Sequence, residues 1–277
     1  MREFNLVDSY MGGYSVPGRL PATMRWRREG HDPALPTFWS HEKIFEAPTG
    51  GMEQYALVVE SKAILPQLYA ALPAVVDRFT LVFTHDSELL ATRPDKCRFI
   101  PANGVWIGGE YGGGQVALSP KTKLVSMLSS TKLYCPLHKF RLELALELRN
   151  VQGIDVTIGG HGKSSGGGWR PVSETLTDYL YSIVIENYVD DAFFTEKILN
   201  CFATGTVPIY FGARRIGDYF DPNGIISFTS RDDLVSVLRT LSAEDYLSRR
   251  NAIIDNFNRV KDYMMPEDYI CRHYLGG

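Results

Sequence analysis

This sequence has few cysteines, no long apolar run and no excess of positive charge. The four cysteines, Cys97, Cys135, Cys201 and Cys271, stand far apart, with no CxxC pair and no cysteine–histidine cluster. That spacing argues against a zinc site and against a disulfide framework, and reads as buried thiols in a reducing compartment. No apolar stretch approaches the roughly 20 residues of a membrane span, and the N-terminus has no signal-peptide pattern. A soluble, cytoplasmic protein is the expectation. The formal net charge is −3. A protein gripping nucleic acid through its phosphates is usually basic, so nucleic acid is not an expected partner. There is no Asp-x-Asp at a strand end to hold a catalytic metal; Asp190-Asp191 and Asp232-Asp233 read as loop or helix-start acids.

What remains is an ordinary globular composition, 44% apolar and 22% charged, over 277 residues. That length suits two small domains or one large one. Residues 1 to about 50 read as irregular. Apolar runs at 55–59 and 79–85 read as strands, the first ending at Glu60. A proline-broken helix lies between them, and a short helix follows at 86–91. The glycine-rich stretch 108–114 reads as a flexible connection, which places the domain boundary near residue 115.

The second half alternates strand and helix more cleanly. Strands are expected at 123–129, 154–158, 181–185, 206–210 and 225–228. Leu137, Phe140, Leu144 and Leu148 mark one face of a helix. Thr195 is placed to cap a helix that Gly205 ends. Further helices are expected at 232–241 and 245–263. This pattern predicts an α/β fold with largely parallel sheets, and ligands at the carboxyl ends of the strands.

The segment from Tyr179 to Phe228 carries the most chemistry. An apolar strand delivers Glu186 and Asn187, and after a loop Thr195-Glu196-Lys197 opens a helix. A helix N-terminus with a lysine suits a diphosphate, and Glu196 beside it suits sugar or ribose hydroxyls. The alternative reading, a first-turn acid and a solvated lysine, stays open on spacing alone. The stretch Gly162-Lys163-Ser164 lacks the earlier glycine of a phosphate-binding P-loop, so an NTPase is not expected. Gly160 and Lys163 remain candidates to line a nucleotide site. His85-Asp86 reads as a strand-end histidine with a neighbour rather than a base pair. The aromatic residues, Trp26, Trp39, Trp106 and Trp169 among them, suit sugar stacking as well as core packing.

The segment resembles the donor-binding half of the α-1,3-fucosyltransferases, glycosyltransferase family 10. Glu186-Asn187-Tyr188, Phe193-Phe194-Thr195-Glu196-Lys197 and the run Gly205 to Ala213 (GTVPIYFGA) stand where that family has its signature elements. Upstream, Val125 to Ser130 followed by His138-Lys-Phe-Arg141 is similar to the family's strand and arginine helix. Val59-Glu60-Ser61 resembles its Glu-Ser-Pro element. The resemblance implies a GT-B fold of two Rossmann-like domains across a cleft, here 1–115 on the acceptor side and 116–277 on the donor side. The last helix is expected to pack back on the first domain.

It further implies an inverting, metal-independent glycosyltransferase with no cofactor beyond its nucleotide-sugar donor. Glu60 matches the general base. Arg141 and Lys197 match the diphosphate ligands, and Glu196 the ribose or sugar ligand. Glu186, Asn187, Phe193 and Thr195 complete the matched donor site, although Glu186 could equally be structural. Three departures bear on the donor. Phe193 stands for the usual tyrosine, Tyr188 for a serine and Arg214 for a proline. Fucose is the favoured sugar; a UDP-sugar such as UDP-xylose is the alternative, and a non-catalytic nucleotide- or glycan-binding module is the reading from another class. The acceptor expected is a glycan. With no anchor or stem in view, the chain is more similar to bacterial or viral family members than to animal ones.

Overall fold

The computed structural model describes residues 1–8, 21–108, 114–159 and 172–276. The chain forms two parallel sheets that divide it in sequence. The first holds β1 (Arg2–Val7), β2 (Met24–Arg27), β3 (Thr37–Ser40), β4 (Gln54–Leu57), β5 (Leu81–Thr84) and β6 (Cys97–Phe99), in the order β2-β1-β3-β4-β5-β6. The second holds β7 (Lys123–Ser129), β8 (Ile154–Ile158), β9 (Tyr179–Ile185), β10 (Val207–Phe211) and β11 (Ile226–Ser227), in the order β11-β10-β9-β7-β8. Every ladder among the described residues is parallel.

Helices α1 (Pro66–Ala71) and α2 (Ser87–Thr92) belong to the first half. Helices α3 (Pro136–Leu148), α4 (Glu196–Thr204), α5 (Arg231–Leu238), α6 (Ala243–Ser248), α7 (Arg250–Arg259) and α8 (Pro266–Tyr274) follow. The prolines bound this helix as the sequence suggests: Pro66 opens α1, which ends at Ala71 and gives way around Pro73 to two short 3-10 turns.

The described part of the first 50 residues is not irregular; it supplies three of the six strands of the first sheet. Their signal is weak because β1 carries Asn5 in its middle, a polar residue where a buried strand should be apolar. Asn5 is buried, and its amide donates to the carbonyls of Asp32 and Leu35 and to the Thr37 hydroxyl. Only tertiary partners make that burial tolerable. In the second half the expected strands appear within a residue or two. The long helix expected at 245–263 is instead α6, α7 and a closing 3-10 turn.

The two sheets share one apolar seam. Phe99 at the end of β6 packs against Phe194 and Tyr219, with ring centroids 5.6 and 4.7 Å apart. The final helix α8 returns to the first sheet. Asp268 accepts from the backbone and hydroxyl of Thr23, and the Tyr274 hydroxyl donates to the Phe99 carbonyl. The described ends of the connection between the sheets are anchored as well. Trp106 N–H donates to the Asn200 side chain, and Ala117 N–H to the Ala203 carbonyl. Gly104 lies so close to the Met264 carbonyl that a Cβ would sit 2.0 Å from its oxygen, so no other residue fits there.

Candidate active site

The carboxyl ends of both sheets meet, and the candidate residues gather there. On the second sheet β9 ends at Ile185 and delivers Glu186 and Asn187 directly. Glu186 is fully buried. One of its oxygens accepts from the Thr195 N–H at 3.0 Å, and the other from the Lys197 ammonium at 3.1 Å. Thr195 caps α4 as the sequence predicts, its hydroxyl accepting from Lys197 N–H. The same hydroxyl donates to Glu186 and accepts from the Lys197 ammonium at 2.8 Å, so one side chain fixes both charged groups. Gly205, left-handed at φ 71°, ends the helix.

The electrostatics of this knot are opposed. Burial by itself would lower the Lys197 pKa, but the adjoining Glu186 and Glu196 carboxylates more than offset it and hold it above its ordinary value. Lys197 is therefore a cation. Burial pushes the Glu186 carboxyl up, against the pull of Lys197. Glu196 lies 3.3 Å from the same ammonium and accepts from the Asn103 amide at 3.0 Å. Glu196 thus ties α4 to the segment leaving the first sheet.

Arg141 reaches the same place from α3. The helix presents His138, Arg141, Leu144 and Leu148 on its buried face, at spacings of three and four. Arg141 donates to the Ile185 carbonyl at 3.2 Å and to the Ser130 hydroxyl at 2.9 Å. Its Nε is buried with no hydrogen-bond partner in the structure. A guanidinium held on two sides with a donor to spare is prepared for an anion.

Glu60 comes from the other sheet, three residues beyond β4. Its Oε1 accepts from Ser61 N–H at 2.8 Å and from the Asn187 amide at 3.2 Å. The Tyr69 hydroxyl donates to the Glu60 carbonyl and pins this stretch of backbone. A second contact joins the halves nearby, where Ser87 donates to Asp190 at 2.8 Å.

The structure therefore brings Glu60, Arg141, Glu186, Asn187, Thr195, Glu196 and Lys197 into one cluster. Phe193 is placed differently. Its ring is only 1% exposed and packs edge-on against His85 at 4.5 Å, so it offers no face to the cleft. It seats the β9–α4 loop on the first half. His85 is buried, and burial lowers its pKa. Asp86 caps α2, accepting from Leu89 N–H. Asp190 accepts from Ala192 N–H and Asp233 from Thr229 N–H, which are loop and helix-start roles. Gly160, Lys163, Trp169 and the segment 162–164 lie outside the described residues. Sequence reasoning missed His138, Ser130 and Asn103. His138 was within reach, because it shares the helical period of Arg141.

Among the described residues, no group of three or more His, Cys, Asp or Glu side chains is placed to hold a metal ion. All four cysteines are free and buried. No helix among the described residues is long and apolar enough to cross a membrane.

The family model "Glycosyltransferase family 10 (fucosyltransferase) C-term" matches residues 118–272, more than half of the chain. The chain belongs to glycosyltransferase family 10. An α-(1,4)-fucosyltransferase of Arabidopsis thaliana is 27% identical over 95 residues, covering 31% of this chain and 24% of that protein. The α-(1,3)-fucosyltransferase FucT of Helicobacter pylori is 26% identical over 86 residues, covering 30% of this chain and 17% of that protein. These matches thus span a quarter or less of the relatives' own length. In fold the likeness is broader. An α1,3-fucosyltransferase crystallised with GDP superposes with a TM-score of 0.55 at 12% identity, covering 95% of this chain and 90% of that one. TarM superposes with a TM-score of 0.57 at 12% identity, covering 87% of this chain and 54% of that one. The fold is GT-B. Within the family 10 pattern, the departing residues all have local partners. Tyr188 packs on Phe193, and Arg214 pairs with Asp191 at 2.9 Å.

Proposed function

We propose that this protein transfers a sugar, fucose favoured, from a nucleoside diphosphate sugar to a glycan hydroxyl, with inversion and without a metal. The observation that carries the reading is the convergence of Arg141, Lys197 and Glu60. Two cations from α3 and α4 flank the end of β9, and a carboxylate from the other sheet is tied in beside them through Asn187. In the reaction the acceptor hydroxyl attacks the anomeric carbon and gives its proton to Glu60. The sugar–oxygen bond breaks, and its electron pair stays with the leaving diphosphate. Arg141 and Lys197 stabilise the charge that grows there, and a water-poor cleft makes that stabilisation large. These cations supply the role that a divalent ion plays in metal-dependent transferases. Fucose is favoured because the named relatives are fucosyltransferases and the matched neighbour was crystallised with GDP.

A UDP-sugar is the second donor reading, motivated by Phe193. A tyrosine hydroxyl that the family pattern places by the donor is absent, and the ring is turned into the protein. Thermal stability measured with GDP, UDP, CDP and ADP and their sugar conjugates, with and without EDTA, separates the readings. A ligand at about a hundred times its Kd stabilises by roughly 2.7 kcal/mol. A GDP response that ignores EDTA supports the first reading, and a UDP response replaces the donor. Tight binding with neither hydrolysis nor transfer would leave only a binding module.

A further inference from the structure

His138 lies on α3 three residues before Arg141, on the same helix face. Both side chains are only 5% exposed, and each has a buried nitrogen without a hydrogen-bond partner in the structure, Nδ1 of His138 and Nε of Arg141. Buried polar atoms are almost always paired, so two orphans beside one cleft point to something that binds there. The charges that act on the imidazole are Arg141 from α3, Lys197 from α4, Lys132 from the β7–α3 loop and Glu60 from the other sheet. The Tyr134 ring stands 6.0 Å away, edge-on.

We propose that His138 is a further residue of the donor site: it hydrogen-bonds the diphosphate and takes up a proton as that anion arrives. The inference rests on the donor reading above. Burial, then Arg141, Lys197 and Lys132, push the imidazole pKa down to about 4, so the ring is neutral at physiological pH. A nucleoside diphosphate sugar brings two negative charges among these cations and reverses the field on the ring. The proton comes from solvent on binding and returns to it when the nucleotide leaves. While bound it makes His138 a third cation facing the departing oxygen. A histidine that merely packs α3 would show no such exchange.

Calorimetric titration with GDP-fucose and, in parallel, UDP-glucose tests this, without acceptor and in buffers of different ionisation heat. Neither diphosphate diester titrates near pH 6, so any proton taken up goes to the protein. The wild type is expected to take up protons at pH 6, with affinity tightening by up to about tenfold per pH unit as pH falls from 7.5 to 5.5. His138→Asn should lose both effects, and His138→Leu should bind about tenfold or more weakly. Nitrogen-15 imidazole shifts of the wild-type ring, with and without sugar nucleotide, read the same protonation without any substitution. A ring that stays neutral when nucleotide is bound, or uptake that persists in a folded His138→Asn protein, overturns the proposal while sparing the donor reading. Absence of binding by every sugar nucleotide in the wild type overturns both.

Discussion

The side-chain amide of Asn187 donates to the Glu60 carboxylate across 3.2 Å, joining the ends of two strands that belong to different sheets. Asn187 follows β9 by two residues, immediately after the glutamate that holds Lys197. The proposed base and the proposed diphosphate lysine are therefore linked through adjacent residues of one loop. A shift of that loop moves both.

Asn187→Ala is expected to lower kcat by about tenfold to a hundredfold with little change in donor KM. It removes one of the hydrogen bonds that orient the Glu60 carboxylate but touches neither cation, and loss of orientation is expensive in a transition state. Glu60→Gln should bind donor normally and lose roughly two to four orders of magnitude in transfer. Steady-state kinetics on the two variants check this. If both retain wild-type kcat, the base lies elsewhere.

Lys197→Ala and Arg141→Ala should each weaken nucleotide binding by about tenfold or more, since each removes a proposed charge-assisted contact to phosphate. Lys197→Ala should also destabilise the fold, because it leaves the buried Glu186 carboxylate without its counter-charge. Calorimetric affinities and denaturation midpoints measured together distinguish the two effects. Unchanged affinity in both variants would remove them from the donor site.

Folding stability should fall as pH drops from about 6.5 towards 4. His41, His85 and His138 all have pKa values lowered chiefly by burial. A lowered pKa means that the unfolded chain binds more protons in this window. The stability these neutral rings contribute is complete above the ordinary histidine pKa and is lost as pH falls through the folded value. Urea midpoints at pH 7, 6, 5 and 4.5 measure the slope. His138→Gln should flatten part of it, and an identical slope in that variant would contradict the assignment.

Phe194→Ala should cost about 3–5 kcal/mol of stability, the range for emptying a buried aromatic site. Phe194 is fully buried and touches Phe99 of the first sheet as well as Tyr219, Phe220 and Tyr263 of the second half. A cavity there loosens the seam between the sheets, so activity should fall along with stability. Equilibrium denaturation gives the cost; a loss under 1 kcal/mol would mean that the seam repacks.

Much of the second half was legible in the residues. Its strands are apolar enough to read alone, and Thr195 and Gly205 mark the limits of α4 through cap chemistry that is local to the chain. The first sheet was legible only from β4 onward. In β1 the buried Asn5 breaks the apolar pattern, and what satisfies it comes from residues 27 to 32 positions away. Phe193 shows the converse failure. Its place in the motif suggested the donor, but its packing partner is His85, more than a hundred residues earlier.

The sequence by itself determined the α/β alternation, the capped helix α4 and the family signature from Glu186 to Ala213, because each depends on residues close together in the chain. Tertiary structure alone decided which charges are spent on one another and which face the cleft. Glu186 became the buried anchor of Lys197, and Asn187 the tie to Glu60. Distance in space sets those roles, through the strength of Coulomb and hydrogen-bond interactions at a few ångströms in a dry interior, and spacing along the chain does not encode it.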